Sequence, residues 1–300
     1  MRAVQLTLVL VALANPALAT DGVLEINQTC AVQTGCFAGD TPGFPVTITG
    51  ATGRSYRLTS DLLIPDRNTT AISVTRRDTS IDLNGFEIVL SLCQSLSCLP
   101  IAGTGVAVLA EDVLGVSVRN GSITAMGSDG VRLGNQARVS DLRLRWNGGD
   151  GIRVGFGSSV LESNAYQNGG AGFSTSLGST VSGNTAFENT SDGILVDAGS
   201  TVSGNTASLN GGFGVQAVGG STISLNTVYA NGLSGISASS GSNVRGNTVF
   251  ANESFGIVLF GTASYRENTV VGNTSGPVNG GVNRGDNYCS GPAVVSAFCP

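Results

Sequence analysis

The sequence predicts an all-β fold, a right-handed parallel β-helix (a solenoid of stacked coils), because two residue types recur at one fixed interval. An asparagine returns every 21 residues through the second half of the 300-residue chain: Asn147, Asn168, Asn189, Asn210, Asn231, Asn252 and Asn273. A glycine keeps the same step: Gly130, Gly151, Gly172, Gly193, Gly214, Gly235 and Gly256. A period of this length means that equivalent units stack on one another, so we expect 21-residue coils.

One coil, residues 193–214, shows the elements in order. Gly193 opens a turn, where we expect the positive φ that glycine adopts easily. Three short strands follow at 194–196, 201–203 and 206–208, and Asn210 closes the circuit. The central residue of the second and third strands is apolar in the other coils too, which predicts a narrow core.

The three strands of a coil should each pair with the equivalent strand one coil away, at about 4.8 Å. The rule for parallel crossovers makes the coil right-handed. An α-solenoid is the main alternative, but it needs apolar residues at helical spacing and little glycine, and this sequence has 44 glycines.

A second asparagine series marks another corner of the coil: Asn184, Asn205, Asn226, Asn247 and Asn268. A stacked asparagine can donate to and accept from the asparagines above and below it. We therefore interpret both series as structural ladders at turns rather than as ligands.

The two ends differ from the repeat. Residues 1–19 combine one positive charge, an apolar stretch and a small-residue end, which predicts a signal peptide and hence a secreted or periplasmic protein. We expect an N-terminal cap at 20–55, the β-helix at 56–274 and a C-terminal cap at 275–300. No later segment is apolar enough to span a membrane.

Six cysteines lie outside the regular repeat. Their even number behind an export signal predicts disulfides, and the three close pairs are Cys30–Cys36, Cys93–Cys98 and Cys289–Cys299. Zinc is the alternative, but the chain has no histidine and no Cys-x-x-Cys. The predicted caps are therefore disulfide-bonded.

The charge pattern excludes one class of partner. All 15 basic residues are arginine and the net charge is −5, so the strong basic patch of a nucleic-acid-binding protein is missing. The sequence leaves the oligomeric state open.

Two segments carry a resemblance to a known family. Tyr56-Arg57-Leu58-Thr59-Ser60-Asp61-Leu62 and Ile81-Asp82-Leu83-Asn84-Gly85-Phe86, followed by Gly-Asn-Thr coils, resemble secreted bacterial right-handed β-helix repeat proteins. These belong with the pectin-lyase-like superfold and are similar to NosD-type periplasmic proteins. The resemblance covers about residues 56–274 and implies the fold rather than a function.

Several activities known for this superfold need residues that the chain lacks. Polygalacturonase-like and alginate-epimerase-like sites need histidine, and copper handling of the NosD type favours His, Met or free Cys. Pectate-lyase-like β-elimination remains, since the resemblance implies that an arginine can act as base while Ca²⁺ neutralises the substrate carboxylate.

The candidate ligand-binding residues come from a segment, residues 119–162, that holds ten charged side chains. We select Asp129, Arg132, Asp141, Arg143, Arg145, Trp146, Asp150, Arg153 and Glu162. Either these charges pair with each other on a solvated surface, or they form a groove that holds an acidic polymer through arginine–carboxylate pairs. Trp146, the only tryptophan, could stack on a sugar or cover a loop.

A second outward surface is uncharged. It combines a threonine column with aromatic residues two positions further on: Tyr166, Phe187, Tyr229 and Phe250. These rings suit a saccharide chain, although stacking of neighbours on each other explains them as well.

Three hypotheses for the function follow. The first is an exported β-helix that binds polysaccharide or cell-envelope glycan without catalysis and without a cofactor. The second is a polysaccharide lyase that uses Arg132 or Arg153 with Asp129, Asp150 and Ca²⁺. The third is a structural surface rod.

Overall fold

The computed structural model describes residues 22–49, 55–93, 98–291 and 299. The chain forms a right-handed parallel solenoid of about eleven turns, with three strands in each coil. We call the three strand columns the first, second and third faces, in the order in which a coil passes through them. The strands of the first face are Val46–Ile48, Ile72–Val74, Val108–Ala110, Val131–Leu133, Ile152–Val154, Phe173–Thr175, Ile194–Val196, Val215–Ala217, Ile236–Ala238, Phe255–Leu259 and Gly276–Asn279.

The second and third faces belong to one sheet, because two long strands run through both of them. These long strands are Ser117–Thr124 and Arg138–Arg145. The other strands of the second face are Leu24–Ile26, Ser55–Leu58, Ser80–Asp82, Ser159–Leu161, Thr180–Ser182, Thr201–Ser203, Thr222–Ser224, Asn243–Arg245, Ser264–Arg266 and Val282–Asn283. Those of the third face are Leu62–Ile64, Glu87–Leu90, Asn164–Tyr166, Thr185–Phe187, Thr206–Ser208, Thr227–Tyr229, Thr248–Phe250, Thr269–Val271 and Tyr288–Ser290.

Successive coils pair in the register that the repeat predicts. Ile194 pairs with Val215, and Val202 pairs with Ile223, each one period further along the chain. Alternation along each three-residue strand turns the central residues of the second and third faces inward, so that Val202 and Ala207 are fully buried. The predicted fold class is confirmed.

The asparagine ladders are confirmed as well. From Asn147 to Asn252, each Nδ2 of the first series donates to the Oδ1 of the next asparagine at 2.9 Å. Each backbone N–H in this series donates to the same oxygen, for example from Asn189 to Asn210 at 3.1 Å. The ladder thus gives hydrogen-bond partners to buried polar groups at a corner, where pairing between strands does not supply them.

The expected positive φ at Gly193 is wrong, and glycine is needed there for another reason. A Cβ at this position would lie 2.6 Å from the carbonyl oxygen of Gly214 and 2.7 Å from Nδ2 of Asn210. The glycine column therefore makes room for the asparagine ladder. Gly204, at the corner between the second and third faces, does adopt a positive φ of 65°.

The ends join the solenoid through paired strands and disulfides. The strands Leu24–Ile26 and Val46–Ile48 pair in parallel with the strands at 55–58 and 72–74. A π-helical turn spans Cys30–Thr34 and a 3-10 turn spans Ser91–Cys93.

All three predicted disulfides are present: Cys30–Cys36, Cys93–Cys98 and Cys289–Cys299. Such bonds are typical of proteins outside the reducing cytosol. The predicted signal peptide lies outside the described residues. In the ranges that are described, none of the helices combines the length and hydrophobicity needed to cross a membrane.

Candidate functional site

The structure divides the nine candidate residues between two sides of the solenoid. Arg132 and Arg153 pair in register on the first face, directly after the turns that hold Asp129 and Asp150. We call these four residues the first-face cluster. The other five candidates lie on or beside the sheet of the second and third faces. The chain turns a corner between residues 132 and 138, which separates them from the first face. The structure therefore does not bring all nine candidates together in one groove.

The first-face cluster is a set of ion pairs around buried carboxylates. Asp129, only 1% exposed, accepts a hydrogen bond on Oδ2 from Nε of Arg132 at 2.7 Å. Nη2 of Arg153 lies 2.9 Å from Oδ2 of Asp150, and its Nε lies 3.4 Å from Oδ2 of Asp129. Arg132 also donates to Oγ of Ser128 at 2.9 Å. Both guanidinium groups are thus held by the protein itself.

The same aspartates form a ladder between coils. Oδ1 of Asp129 accepts the backbone N–H of Asp150 at 2.8 Å, and Oδ1 of Asp150 accepts that of Ala171 at 2.8 Å. Asp192 repeats the contact with the N–H of Phe213 at 2.7 Å. One carboxylate oxygen of Asp129 and of Asp150 therefore supports the backbone, while the other holds an arginine.

Burial changes the acid–base properties of this column. Desolvation raises the pKa of Asp150 above its ordinary value, although the N–H of Ala171 and the charge of Arg153 oppose this. Desolvation likewise raises the pKa of Asp192. For Arg153, burial lowers the pKa, but the carboxylates of Asp150 and Asp129 outweigh that effect, and the pKa lies above its usual range. The neutral form of Arg153, which is the form that could accept a proton, is therefore less populated.

The opposite side carries exposed arginines, only some of which form ion pairs. The long strand Arg138–Arg145 presents three exposed arginines, Arg138, Arg143 and Arg145, and Arg119 is exposed on the neighbouring long strand. We call these four the long-strand cluster. Arg119 pairs with Asp82 at 2.9 Å. Within the described part of the chain, Arg138 and Arg143 have neither an ion-pair nor a hydrogen-bond partner.

Two grooves flank the point where the second face becomes the third, each with a volume of about 280 Å³. The first is lined by Ser80, Ser117, Val118, Arg119, Arg138 and Ser140. The second is lined by Gly85, Asn120, Gly121, Asp141, Leu142, Arg143, Glu162 and Asn164. Each groove therefore contains an unpartnered arginine, and the second also contains the candidates Asp141 and Glu162.

Asp141 and Glu162 occupy the same corner position in successive coils. Both have a positive φ, 55° and 49°, which bends the chain between the two faces. Their exposed carboxylates line the groove beside Arg143 without forming an ion pair within the described residues. They are free to accept hydrogen bonds from a bound molecule.

Arg145 and Trp146 close one end of this surface. Nη2 of Arg145 lies 3.3 Å from Oε1 of Glu87, and Nε of Arg145 donates to Oγ1 of Thr124 at 3.1 Å. Its guanidinium lies 4.8 Å from the centroid of the Trp146 ring. The indole Nε1 donates to Oε1 of Gln167 at 2.7 Å. Trp146 is thus held in a defined orientation, half-buried against the loop at the Cys93–Cys98 disulfide.

The aromatic column of the third face is explained by self-stacking. The rings of Tyr166 and Phe187 stack at 5.4 Å, and those of Tyr229 and Phe250 stack at 4.8 Å with an interplanar angle of 4°. Because each ring covers a face of its neighbour, stability accounts for these residues without a saccharide.

Sequence reasoning missed Arg119, Arg138 and Glu87 as members of the site. Strand alternation could have found the two arginines, since both stand next to an inward valine, Val118 or Val139. No sequence pattern places Glu87, which reaches Arg145 across an irregular insertion. Among the residues that the structure describes, no three His, Cys, Asp or Glu residues are grouped so that they could hold a metal ion.

Comparison with known proteins agrees with this architecture. Residues 129–275 match the family model for the right handed beta helix region. No curated protein matches the sequence.

Three solved structures are similar to this chain to different degrees. The chain is similar to the A-module of mannuronan C-5 epimerase AlgE6 from Azotobacter vinelandii, with 16% identity, a TM-score of 0.50, and coverage of 73% of this chain and 68% of that one. The AlgE4 A-module from the same organism gives 12% identity, a TM-score of 0.37, and coverage of 88% and 93%. The periplasmic alginate epimerase AlgG gives 14% identity, a TM-score of 0.34, and coverage of 83% and 63%. At such identities the similarity concerns the fold alone.

Proposed function

We propose that this chain, a right-handed parallel β-helix repeat protein, binds a polysaccharide that contains uronic acids, and that it does so outside the cytosol without catalysis. The binding surface is the sheet of the second and third faces at residues 117–166. The observation that carries the proposal is the pair of exposed arginines, Arg138 and Arg143, which have no partner among the described residues and each line a groove.

The chemistry of the grooves favours a sugar acid over other anions. A guanidinium group can hold a carboxylate through two parallel hydrogen bonds. Ser140, Asn164, Asp141 and Glu162 offer acceptors for sugar hydroxyls beside the two arginines. Asp141 and Glu162 would repel a polyanion that has no hydroxyl donors. Arginines together with these two carboxylates therefore suit a chain that carries both carboxylates and hydroxyls.

The state of the first-face cluster supports binding rather than lyase chemistry. A lyase that used Arg132 or Arg153 would need an arginine that gives up its proton. Both guanidinium groups contact the carboxylate of Asp129, and the pKa of Arg153 is raised. The arginines that have no partner among the described residues, Arg138 and Arg143, lie on the other side of the coil.

Calorimetric titration with three polymers tests the proposal. We expect binding to polygalacturonate, weaker binding to its carboxyl-reduced form, and weaker binding to polyglutamate, which has carboxylates without hydroxyls. Arg138→Ala together with Arg143→Ala should weaken polygalacturonate binding by about tenfold or more, as expected for the loss of two charge-assisted contacts.

Arg245→Ala is the matched control. Arg245 is an exposed arginine of the second face in the Arg119 column, several coils away from the grooves. Equal losses in this control and in the double variant would reject the assigned surface. Failure of the parent protein to bind any of the three polymers would reject the proposed function.

A further inference from the structure

A second surface stands out at the insertion that interrupts the solenoid after residue 90. Between Glu87 and Glu111 the sequence contains no charged residue. The disulfide Cys93–Cys98 lies within this uncharged stretch. On either side of this bond, Leu92 is 72% exposed, Leu99 is 73% exposed and Ile101 is 49% exposed. We call these three side chains the apolar tip.

The apolar tip is not needed to complete the core. The inner side of the insertion already packs as a small cluster of Val89, Leu90, Cys93 and Ala125, with Leu63, Cys98 and Trp146 against it. These residues are buried or half-buried, while the tip residues stay in solvent. Exposed aliphatic side chains grouped above a packed cluster are the kind of surface that marks an interaction site.

An apolar groove continues this surface towards the first coils. It has a volume of about 490 Å³ and is lined by Gln28, Val32, Gly43, Phe44, Leu63, Pro65, Thr69 and Ser91. Leu63 belongs both to this groove and to the cluster beneath the insertion, and Ser91 precedes the tip residue Leu92. Val32 in the same groove is 47% exposed.

The surroundings of the apolar tip favour one kind of partner. Its residues are aliphatic, whereas the anchors of protein interfaces are enriched in Tyr, Trp and Arg, with Leu under-represented. The indole of Trp146 lies at the base of the tip with the guanidinium of Arg145 over it, and the unpartnered Arg143 is on the same strand. Arg145 is paired with Glu87, so Arg143 is the arginine available to a headgroup. Aliphatic side chains beside a tryptophan and an available arginine are typical of segments that rest in a bilayer interface, where arginine meets anionic headgroups.

We infer that the apolar tip docks on a lipid surface, with Leu92, Leu99 and Ile101 among the acyl chains and Trp146 near the headgroups. This inference does not depend on the proposed polysaccharide binding. Its test leaves Arg138 and Arg143 unchanged, so that the two can fail separately.

Vesicle binding followed through Trp146 is the experiment. Trp146 is the only tryptophan, so quenching of its fluorescence by vesicles of brominated lipid reports contact at this place. We expect the full chain to bind phosphatidylcholine vesicles, to bind more tightly when phosphatidylglycerol is included, and to be quenched in both. Leu92→Ser with Leu99→Ser and Ile101→Ser should lower the partition coefficient by about tenfold or more, because apolar area is removed from the contact.

Leu177→Ser with Val218→Ser and Leu233→Ser is the matched control, since these exposed aliphatic residues lie in other coils, 56%, 42% and 44% exposed. The control should bind like the parent protein. The inference is overturned if the parent does not bind, if control and tip variant lose equally, or if binding leaves Trp146 unquenched. It is also overturned if the parent forms a dimer in the absence of vesicles that the tip variant cannot form.

Discussion

The first-face cluster and the long-strand cluster both contain arginines on neighbouring coils, yet two arginines of the long-strand cluster lack the ion pairs that hold Arg132 and Arg153. Arg132 and Arg153 stand beside aspartates that are 1% and 7% exposed, and these carboxylates hold them. Arg138 and Arg143 project from the opposite sheet and have no partner in the described part of the chain. The difference comes from the turn before each strand, which supplies a buried carboxylate on the first face only.

This contrast separates a structural charge from a binding charge. A buried carboxylate needs a cation, so an arginine beside it stabilises the fold. An exposed arginine without a partner contributes little to stability and is available to a ligand. Substitutions on the two sides should therefore have separable effects on unfolding and on binding.

The largest effect is expected for Asp129→Ala. This change removes the acceptor for Arg132, for Arg153 and for the backbone N–H of Asp150. We expect the free energy of unfolding to fall by about 2–4 kcal/mol, measured by urea denaturation. Asp197→Ala, at an exposed turn, should change it by less than about 0.5 kcal/mol. Equal stability of the two variants would contradict the structural role of the first-face cluster.

A smaller, pH-dependent effect is expected for Asp192→Asn. Within the part of the chain that the structure describes, Asp192 forms no ion pair with an arginine, and its pKa is raised mainly by desolvation. A raised pKa means that the folded state holds the proton more tightly than the unfolded state, so stability falls as pH rises from about 4 through the folded pKa.

The asparagine amide can still accept the N–H of Phe213, and it removes the cost of a buried charge. The variant should therefore be more stable than the parent at pH 7, and the difference should vanish as the pH approaches about 4. Denaturation curves across this range check the prediction. A variant that is less stable at pH 7 would show that the carboxylate itself stabilises the coil.

The smallest effect on stability is expected for Arg138→Ala with Arg143→Ala. Neither guanidinium has a partner in the described chain, so the midpoint of urea denaturation should stay close to that of the parent, within about 0.5 kcal/mol in free energy. A substantial loss would mean that these arginines support the sheet, and their availability to a ligand would no longer follow.

The sequence was sufficient to predict most of the fold. The 21-residue period predicts the register, since Ile194 pairs with Val215, and it also predicts the asparagine ladders. The close spacing of the cysteines in three pairs predicts the disulfides. These features depend on local spacing and on contacts one coil away, and both can be read from the positions of residues in the sequence.

The site was harder to predict, because it depends on the direction of each side chain. Residues 129–145 are close in sequence, but the chain turns between Arg132 and Arg138, so neighbours in sequence end on different sides. The double use of Asp129, for the backbone of the next coil and for two arginines, has no counterpart in the repeat pattern. The sequence also does not distinguish one uninterrupted strand, Arg138–Arg145, from two short strands that meet at Asp141.

The most direct test is to measure the affinity for polygalacturonate of two double variants side by side, each at a temperature where it is folded. We predict that Arg138→Ala with Arg143→Ala loses about tenfold or more in affinity, while Arg132→Ala with Arg153→Ala binds like the parent protein. The opposite result, in which the first-face variant loses binding and the long-strand variant retains it, would contradict the account.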